Sequence, residues 1–169
     1  LNQLNISNPL ILIGHSDGGS IALLFASRFV EQTKAVITEA AHVFVEEEMR
    51  IGIRKTVKAY QKSNLKELLA KHHGKNTESI FFAWAEIWLS ESFASWSIEE
   101  HLSKITAPLL LIQGKDDEYG HLRQPETIAK QVKGKSEIFW VENYGHIPHH
   151  QQREKILEKI KCFISEKIY

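Results

Sequence analysis

The spacing of apolar and polar positions along the chain predicts a mostly parallel β-sheet with helices packed against it. Three short runs, residues 10–13, 35–38 and 109–112, are apolar almost throughout, which is typical of strands covered on both faces. A fourth run, residues 137–141, is rich in β-forming residues and half apolar. Because a helical pattern follows each run, we expect parallel strands joined by crossover helices.

Two helices are predicted to pack on this sheet. Residues 18–30 are apolar on nearly all sides, which predicts a central, buried helix. Residues 151–168 carry apolar side chains on one face and Lys and Glu on the other, which predicts a helix that covers one face of the sheet. Cys162 falls among the apolar positions of this helix, so we expect its thiol to be buried.

A long helical insertion is predicted between the second and third strands. Residues 46–61, 65–72 and 77–96 have helical patterns and contain no convincing strand, so we expect a helical cap over residues 45–97. Residues 1–44 and 98–169 would then form the core of the fold. The cap is rich in aromatic residues, and Phe81, Trp84 and Trp88 either pack the cap onto the core or line an apolar substrate pocket.

Composition and charge narrow the class of protein. With 169 residues, 43% of them hydrophobic and 25% charged, the chain resembles an ordinary globular domain with one core. Lys plus Arg and Asp plus Glu both number 21, so no net charge favours nucleic acid or a membrane surface as a partner. The single cysteine and the lack of a visible signal sequence or membrane-spanning run favour the cytoplasm.

The strongest chemical signal is a serine between two glycines at the end of the first strand. Gly14-His15-Ser16-Asp17-Gly18 matches the G-x-S-x-G nucleophile elbow, and it lies between a predicted strand and a predicted helix as that motif requires. We expect Gly14 and Gly18 to be glycines because a Cβ would collide where strand and helix cross. Ser16 would stand exposed at the corner, with the N–H of Asp17 as a donor to an oxyanion.

A serine hydroxyl needs a base to take its proton and an acid to orient that base. Residues 113–118, after the third strand, contain Asp116, Asp117 and Glu118 as candidate acids, and residues 143–148, after the fourth, contain His146. Because parallel strands place such loops at the same edge of the sheet, we expect these side chains to converge on Ser16. The chain order of serine, acid and histidine is that of the elbow-type enzymes.

These residues resemble the α/β-hydrolase superfamily, and the chain is similar to its C-terminal portion from the strand before the nucleophile onward. The resemblance implies a partial α/β-hydrolase fold: an α/β architecture with a mostly parallel sheet, flanking helices and a helical cap. In that family the acid follows a strand in a G-x-x-D pattern, which selects Asp117, and the histidine lies in a G-H-x-P context, which selects His146. Ser16 would be the nucleophile, Asp117 the orienting acid and His146 the general base.

Other residues are candidates for the substrate pocket. Asp17 either recognises an ammonium group or is a solvated side chain at the pocket rim, and a Ser-Asp-Gly-Gly sequence here is similar to that of valacyclovir hydrolase-like amino-ester hydrolases. His15, Phe44 and Ile147 are further pocket candidates. His146, His149 and His150 lie on a Pro-containing loop without a nearby thiolate, which is poor support for a metal site, so we expect no metal and no cofactor.

The resemblance implies a serine hydrolase, most simply a carboxylesterase of class EC 3.1.1 that cleaves a small ester through an acyl-enzyme. Alternatives are a C–C bond, amide or amino-ester hydrolase with the same triad, or a noncatalytic, truncated remnant. Relatives carry strands before the elbow strand, so residues 10–13 would otherwise have an uncovered apolar edge. We therefore expect a complementing N-terminal segment, as in a longer chain, or a homodimer through this edge, and full activity only with the edge covered.

Overall fold

Four parallel strands form a single sheet in which the spatial order follows the chain order. The computed structural model describes residue 3 and residues 5–168. The strands are β1 (Leu10–His15), β2 (Thr33–Glu39), β3 (Leu109–Gly114) and β4 (Ser136–Val141), and each pairs in parallel with the next. The prediction of a parallel α/β sheet is therefore confirmed.

Helices connect and flank these strands. In chain order they are α1 (Asp17–Arg28), α2 (Glu47–Lys62), α3 (Leu65–His73), α4 (Thr77–Leu89), α5 (Glu99–Leu102), α6 (Arg123–Gln131), α7 (Pro148–Gln151) and α8 (Arg153–Ile168). The last helix, predicted over residues 151–168, begins at Arg153, because the backbone of Gln152 leaves the helical region and ends the short helix α7. None of the helices in the described part of the chain is both long and apolar enough to cross a bilayer.

The two faces of the sheet are covered by different helices. Because crossovers between parallel strands are right-handed, a sheet whose order follows the chain carries its connecting helices α1 and α6 on one face. Helix α8 covers the other face, where Ile156 and Phe163 join a buried cluster with alternate residues of the strands: Ala35, Ile37, Leu110, Ile112 and Val141. The carboxyl ends of all four strands therefore share one edge, which is the edge where the elbow and the acid and histidine loops lie.

Strand β1 lies at the outer edge of the described sheet, since its one partner among the described residues is β2. Its Ile13 side chain is 63% exposed, beside a groove of about 730 Å³ that runs between the sheet and α8. Ile21 on α1 is 66% exposed, so the prediction that this helix is buried on nearly all sides is wrong. The reason is that α1 packs over β1 and β2 at the border of the sheet rather than at its centre.

Cys162 is exposed, which contradicts the predicted buried thiol. Helix α8 turns the next residue, Phe163, into the core, where it is 2% exposed. The apolar face of this helix is therefore narrower than its sequence suggests.

The chain divides into two compact units, the sheet with its helices and a helical unit over Val45–Trp96. In the helical unit, α2, α3 and α4 pack on one another, and Tyr60 stacks on Phe81 with 4.0 Å between ring centroids. Arg50 donates hydrogen bonds to the carbonyl of Leu89 at 2.8 Å and to the carboxylate of Glu91 at 2.6 Å. The helix expected over residues 77–96 ends at Leu89, where the Arg50 contacts hold the start of a turn.

Candidate active site

Ser16 occupies the corner between β1 and α1 in a backbone conformation that few non-glycine residues adopt. Its φ is 54° and its ψ is −124°, and its N–H donates a hydrogen bond of 2.8 Å to the carbonyl of Glu39 at the end of β2. Strained angles of this kind cost on the order of 1–3 kcal/mol and persist where the surroundings enforce them. Ser16 therefore lies between the end of β1 at His15 and the start of α1 at Asp17.

The glycines of the motif do not have equal roles. A Cβ on Gly14 would lie 2.1 Å from the carbonyl oxygen of Gly18, a contact with backbone that no small adjustment relieves. A Cβ on Gly18 would have no heavy atom within 4 Å, so the expected collision at Gly18 is wrong. The second close approach is instead at Gly19, whose Cβ would lie 2.7 Å from the Cβ of Ala41.

Three side chains from three strand ends converge at this corner. The Ser16 hydroxyl lies 2.9 Å from Nε2 of His146, and Nδ1 of His146 lies 2.9 and 3.0 Å from the two carboxylate oxygens of Asp117. The Asp117 side chain is fully buried and that of His146 is 10% exposed. With Nδ1–H donated to the carboxylate, Nε2 of His146 is free of a proton and can accept the one on Ser16.

Asp117 is held as a carboxylate by a set of donors. Gln113 donates from its amide to Oδ2 at 2.7 Å, and the N–H groups of Tyr119 and Gly120 donate to Oδ1 at 2.8 and 3.1 Å. Burial by itself would raise the pKa of Asp117, but the hydrogen bond and charge of His146, with the Tyr119 and Gln113 bonds, hold the pKa below its usual value. Asp117 is therefore ionised at ordinary pH.

A second imidazole lies parallel to the ring of His146. The His42 ring stacks on it with 5.7 Å between centroids and 12° between planes, and His42 is only 3% exposed. Burial lowers the pKa of His42 to about 4, and the neighbouring His146 adds to the effect. His42 is therefore neutral at ordinary pH and adds no positive charge beside His146.

The remaining predicted pocket residues lie in different settings. Asp17 is exposed at the first position of α1, where its backbone N–H points out of the helix terminus beside Ser16. Ile147, next to His146, is 43% exposed, and the Phe44 ring lies under the guanidinium of Arg123. His15 donates from Nε2 to the carbonyl of His146 at 2.8 Å rather than pointing into open space.

The predicted aromatic residues of the cap all belong to the helical unit. Phe81 and Trp88 are each 7% exposed, and Trp84 borders a small apolar cavity within the unit. Trp88 packs edge-on against Phe93 and Trp96. These contacts are those of a packed helical core, and a role for Phe81, Trp84 and Trp88 in a substrate pocket stays a prediction.

No motif in the sequence marks Gln113, His42 and Glu39, which lie beside Ser16, Asp117 and His146. Each is a polar side chain at or just beyond the carboxyl end of a strand, and that position is the signal that could have found them. Among the described residues, no group of three His, Cys, Asp or Glu side chains is arranged to hold a metal ion.

Comparison with known proteins gives a curated relative and several solved structures of similar fold. No model of a known protein family matches the chain. A proline iminopeptidase of Saccharolobus solfataricus is 25% identical over 95% of this chain and 63% of its own length. The solved structures include a serine hydrolase involved in carbazole degradation, with a TM-score of 0.70, 18% identity and coverage of 95% of this chain and 65% of that one.

An esterase from Exiguobacterium antarcticum has a TM-score of 0.68 at 22% identity, with coverage of 98% of this chain and 69% of the esterase. The chain thus spans 63% of the curated relative it matches, less than two thirds. These similarities extend over both units of the chain and identify a shared fold.

Proposed function

We propose that the chain is a hydrolase of the α/β-hydrolase superfamily and that it cleaves a small carboxylic ester through an acyl-enzyme on Ser16. The observation that carries the proposal is the pair of hydrogen bonds that link the Ser16 hydroxyl to His146 and His146 to Asp117. The serine hydrolase and the esterase among the structural neighbours agree with it.

In the proposed reaction, Nε2 of His146 takes the proton of Ser16 while the serine oxygen forms a bond to the ester carbonyl carbon. The resulting oxyanion accepts a hydrogen bond from the N–H of Asp17, at the positive end of α1. The C–O bond to the alcohol then breaks, and the imidazolium gives its proton to the departing oxygen. Water attacks the acyl-serine in the same way, with His146 again as base, and releases the acid.

A fluorophosphonate probe tests the nucleophile. We expect covalent labelling of the folded chain at Ser16, located by peptide mass spectrometry, and its loss in Ser16→Ala. The matched control is Ser165→Ala, which removes an exposed hydroxyl on α8 and should leave labelling unchanged. A folded chain that resists the probe over long incubation would instead support the noncatalytic remnant.

A second candidate substrate is an amino ester or a peptide with a free N-terminal amine. The exposed carboxylate of Asp17 lies directly after the nucleophile, where it would attract an ammonium group, and one relative is named a proline iminopeptidase. Ratios of kcat/KM for an α-amino ester and its des-amino analogue decide between the two substrates. A higher ratio in the wild type than in Asp17→Asn supports recognition of the amine, and equal ratios reject it.

We also propose that the edge of β1 with no partner among the described residues is covered in the active protein by a further strand from a longer polypeptide, which would supply a second oxyanion donor. An apolar parallel strand with an unpaired edge readily associates, and the exposed Ile13 side chain lies beside that edge. Light scattering tests this. If the chain associates and Ile13→Lys reduces the association, the result supports an edge that binds a further strand. A defined dimer would favour a second copy of the chain as that partner. A stable monomer contradicts both the further strand and the second copy.

A further inference from the structure

The loop that carries His146 is anchored to the end of β2 by one carboxylate. Glu39 accepts a hydrogen bond from the backbone N–H of His149 on Oε1 and another from Nδ1–H of the same residue on Oε2, both at 2.9 Å. The Glu39 side chain is 12% exposed and that of His149 is 38% exposed. A carboxylate that holds both the backbone and the ring of one residue fixes His149, which lies in α7 three residues after His146 in the chain.

Glu39 also contacts the nucleophile side of the site. Its backbone carbonyl accepts the N–H of Ser16 at 2.8 Å, so one residue contacts both the elbow and the loop that carries His146. From the elbow, Nε2–H of His15 donates to the carbonyl of His146 at 2.8 Å. Ser16, Glu39, His149, His146 and His15 thus form a closed ring of covalent segments and hydrogen bonds.

We propose that Glu39 and His149 are positioning residues that fix the distance between the Ser16 hydroxyl and Nε2 of His146. Neither residue need touch the substrate. The inference rests on the proposed serine mechanism and adds to it, because Asp117 orients the imidazole ring whereas the Glu39 pair fixes the backbone that carries the ring.

One further contact of the loop that carries His146 is weaker. The N–H of His146 donates to the carboxylate of Glu118 at 3.3 Å, but Glu118 is exposed, and exposed contacts of this length are weak. The Glu39 pair combines two shorter bonds with a largely buried acceptor, and a hydrogen bond is electrostatically stronger in a buried setting than in water. Loss of this pair should therefore displace His146 more than loss of Glu118.

Two matched pairs of variants test the proposal. Glu39→Gln keeps the size of the side chain but leaves a single acceptor oxygen for two donors, so at least one bond is lost and the amide NH₂ faces an N–H. His149→Phe keeps a ring and removes its donor, whereas His149→Asn keeps an N–H donor near the position of Nδ1. Glu137→Gln is the control, since Glu137 pairs with Lys159 at the opposite edge of the sheet.

The measurements are kcat and KM for a 4-nitrophenyl ester and the second-order rate of fluorophosphonate labelling. Misplacement of a catalytic group by about 1 Å costs roughly 10²-fold in rate, so we expect kcat and labelling to fall roughly 10- to 100-fold in Glu39→Gln and His149→Phe, with KM unchanged. His149→Asn should restore most of the rate. The double variant should be no slower than the slower single variant, because both remove one interaction.

The outcomes separate this inference from the proposed function. If the wild type is labelled and both Glu39→Gln and His149→Phe are labelled at the wild-type rate, with only the melting temperature lowered, the pair is structural and the inference is wrong. If Glu39→Gln does not fold, the Phe and Asn variants of the partly exposed His149 decide the question by the same rates. If the wild type itself is not labelled, the proposed function fails and this inference fails with it.

Discussion

Protonation of His42 should make the protein less stable in mild acid. The folded state keeps this buried ring neutral down to about pH 4, whereas in the unfolded chain it binds a proton near its usual pKa of 6.5. Unfolding therefore takes up a proton between these two pH values, and the free energy of unfolding falls as the pH falls through that window. The contribution is fully present above about pH 6.5, and its loss is complete below about pH 4.

The size of the effect follows from the two pKa values. Each tenfold change in proton affinity is worth about 1.4 kcal/mol, so the difference between 6.5 and about 4 corresponds to about 3 kcal/mol of folding stability. That is a large part of the 5–15 kcal/mol by which a typical domain is stable. Burial also lowers the pKa of His15, which acts in the same direction. Protonation of Asp117 lowers the folding stability at pH values below this window, because the pKa of Asp117 lies under the usual 3.8.

Urea unfolding of the wild type and of His42→Gln at pH values from 7 to 4 measures this contribution. The variant has no group to titrate at this position, so its stability should fall with pH by about 2–3 kcal/mol less than that of the wild type. The contribution of His15 is common to both proteins and cancels. Ser165→Ala, which removes no titratable group, should keep the wild-type slope. Equal slopes for wild type and His42→Gln, or an NMR titration of His42 with a midpoint near 6.5, would refute the reasoning.

Further predictions concern the elbow and the acid. Gly14→Ala should cost about 3 kcal/mol of stability, since its Cβ would overlap the backbone of Gly18. Gly18→Ala should be neutral or stabilise the protein by up to about 1 kcal/mol, because its Cβ meets open space. Equal urea midpoints for the two variants would contradict this. Asp117→Asn should slow probe labelling by roughly 10³- to 10⁴-fold, because the amide favours the wrong tautomer of the base. Gln113→Leu should slow it by roughly 10-fold, since it removes one donor to the Asp117 carboxylate, and a wild-type rate would show that this donor is dispensable.

The parts of the fold that the sequence predicts are those whose signal is local. An apolar run bounded by turn residues predicts a buried strand by itself, and G-x-S-x-G predicts an elbow because strand, turn and helix are contiguous. The convergence of Ser16, Asp117 and His146 then follows from one further fact, that the carboxyl ends of parallel strands meet at one edge of a sheet. No side-chain contact has to be known in advance for this step.

The errors arise where a residue's surroundings depend on distant parts of the chain. The apolar character of α1 predicts burial, but whether Ile21 is covered depends on what lies beyond β1, which a helical pattern does not specify. Whether the second close approach falls at Gly18 or at Gly19 depends on Ala41, which follows the next strand. The motif alone therefore does not say which of the two glycines lies against Ala41. Gln113 has the pattern of a polar end to a buried strand, and only the fold turns its amide toward Asp117.

The loop that carries His146, residues 142–147, shows why motifs do not reveal the remaining site residues. Between β4 and α7 this segment has no regular structure of its own, and Asn143 takes a φ of 60°, so the loop does not determine where His146 lies. Its position is set from outside, by His15 at the end of β1, Glu39 at the end of β2 and the acid loop after β3. In the proposed reaction the sheet therefore supplies the precision that proton transfer needs. Substitutions should affect the rate according to whether they release the loop from a strand end rather than by their distance along the chain from His146.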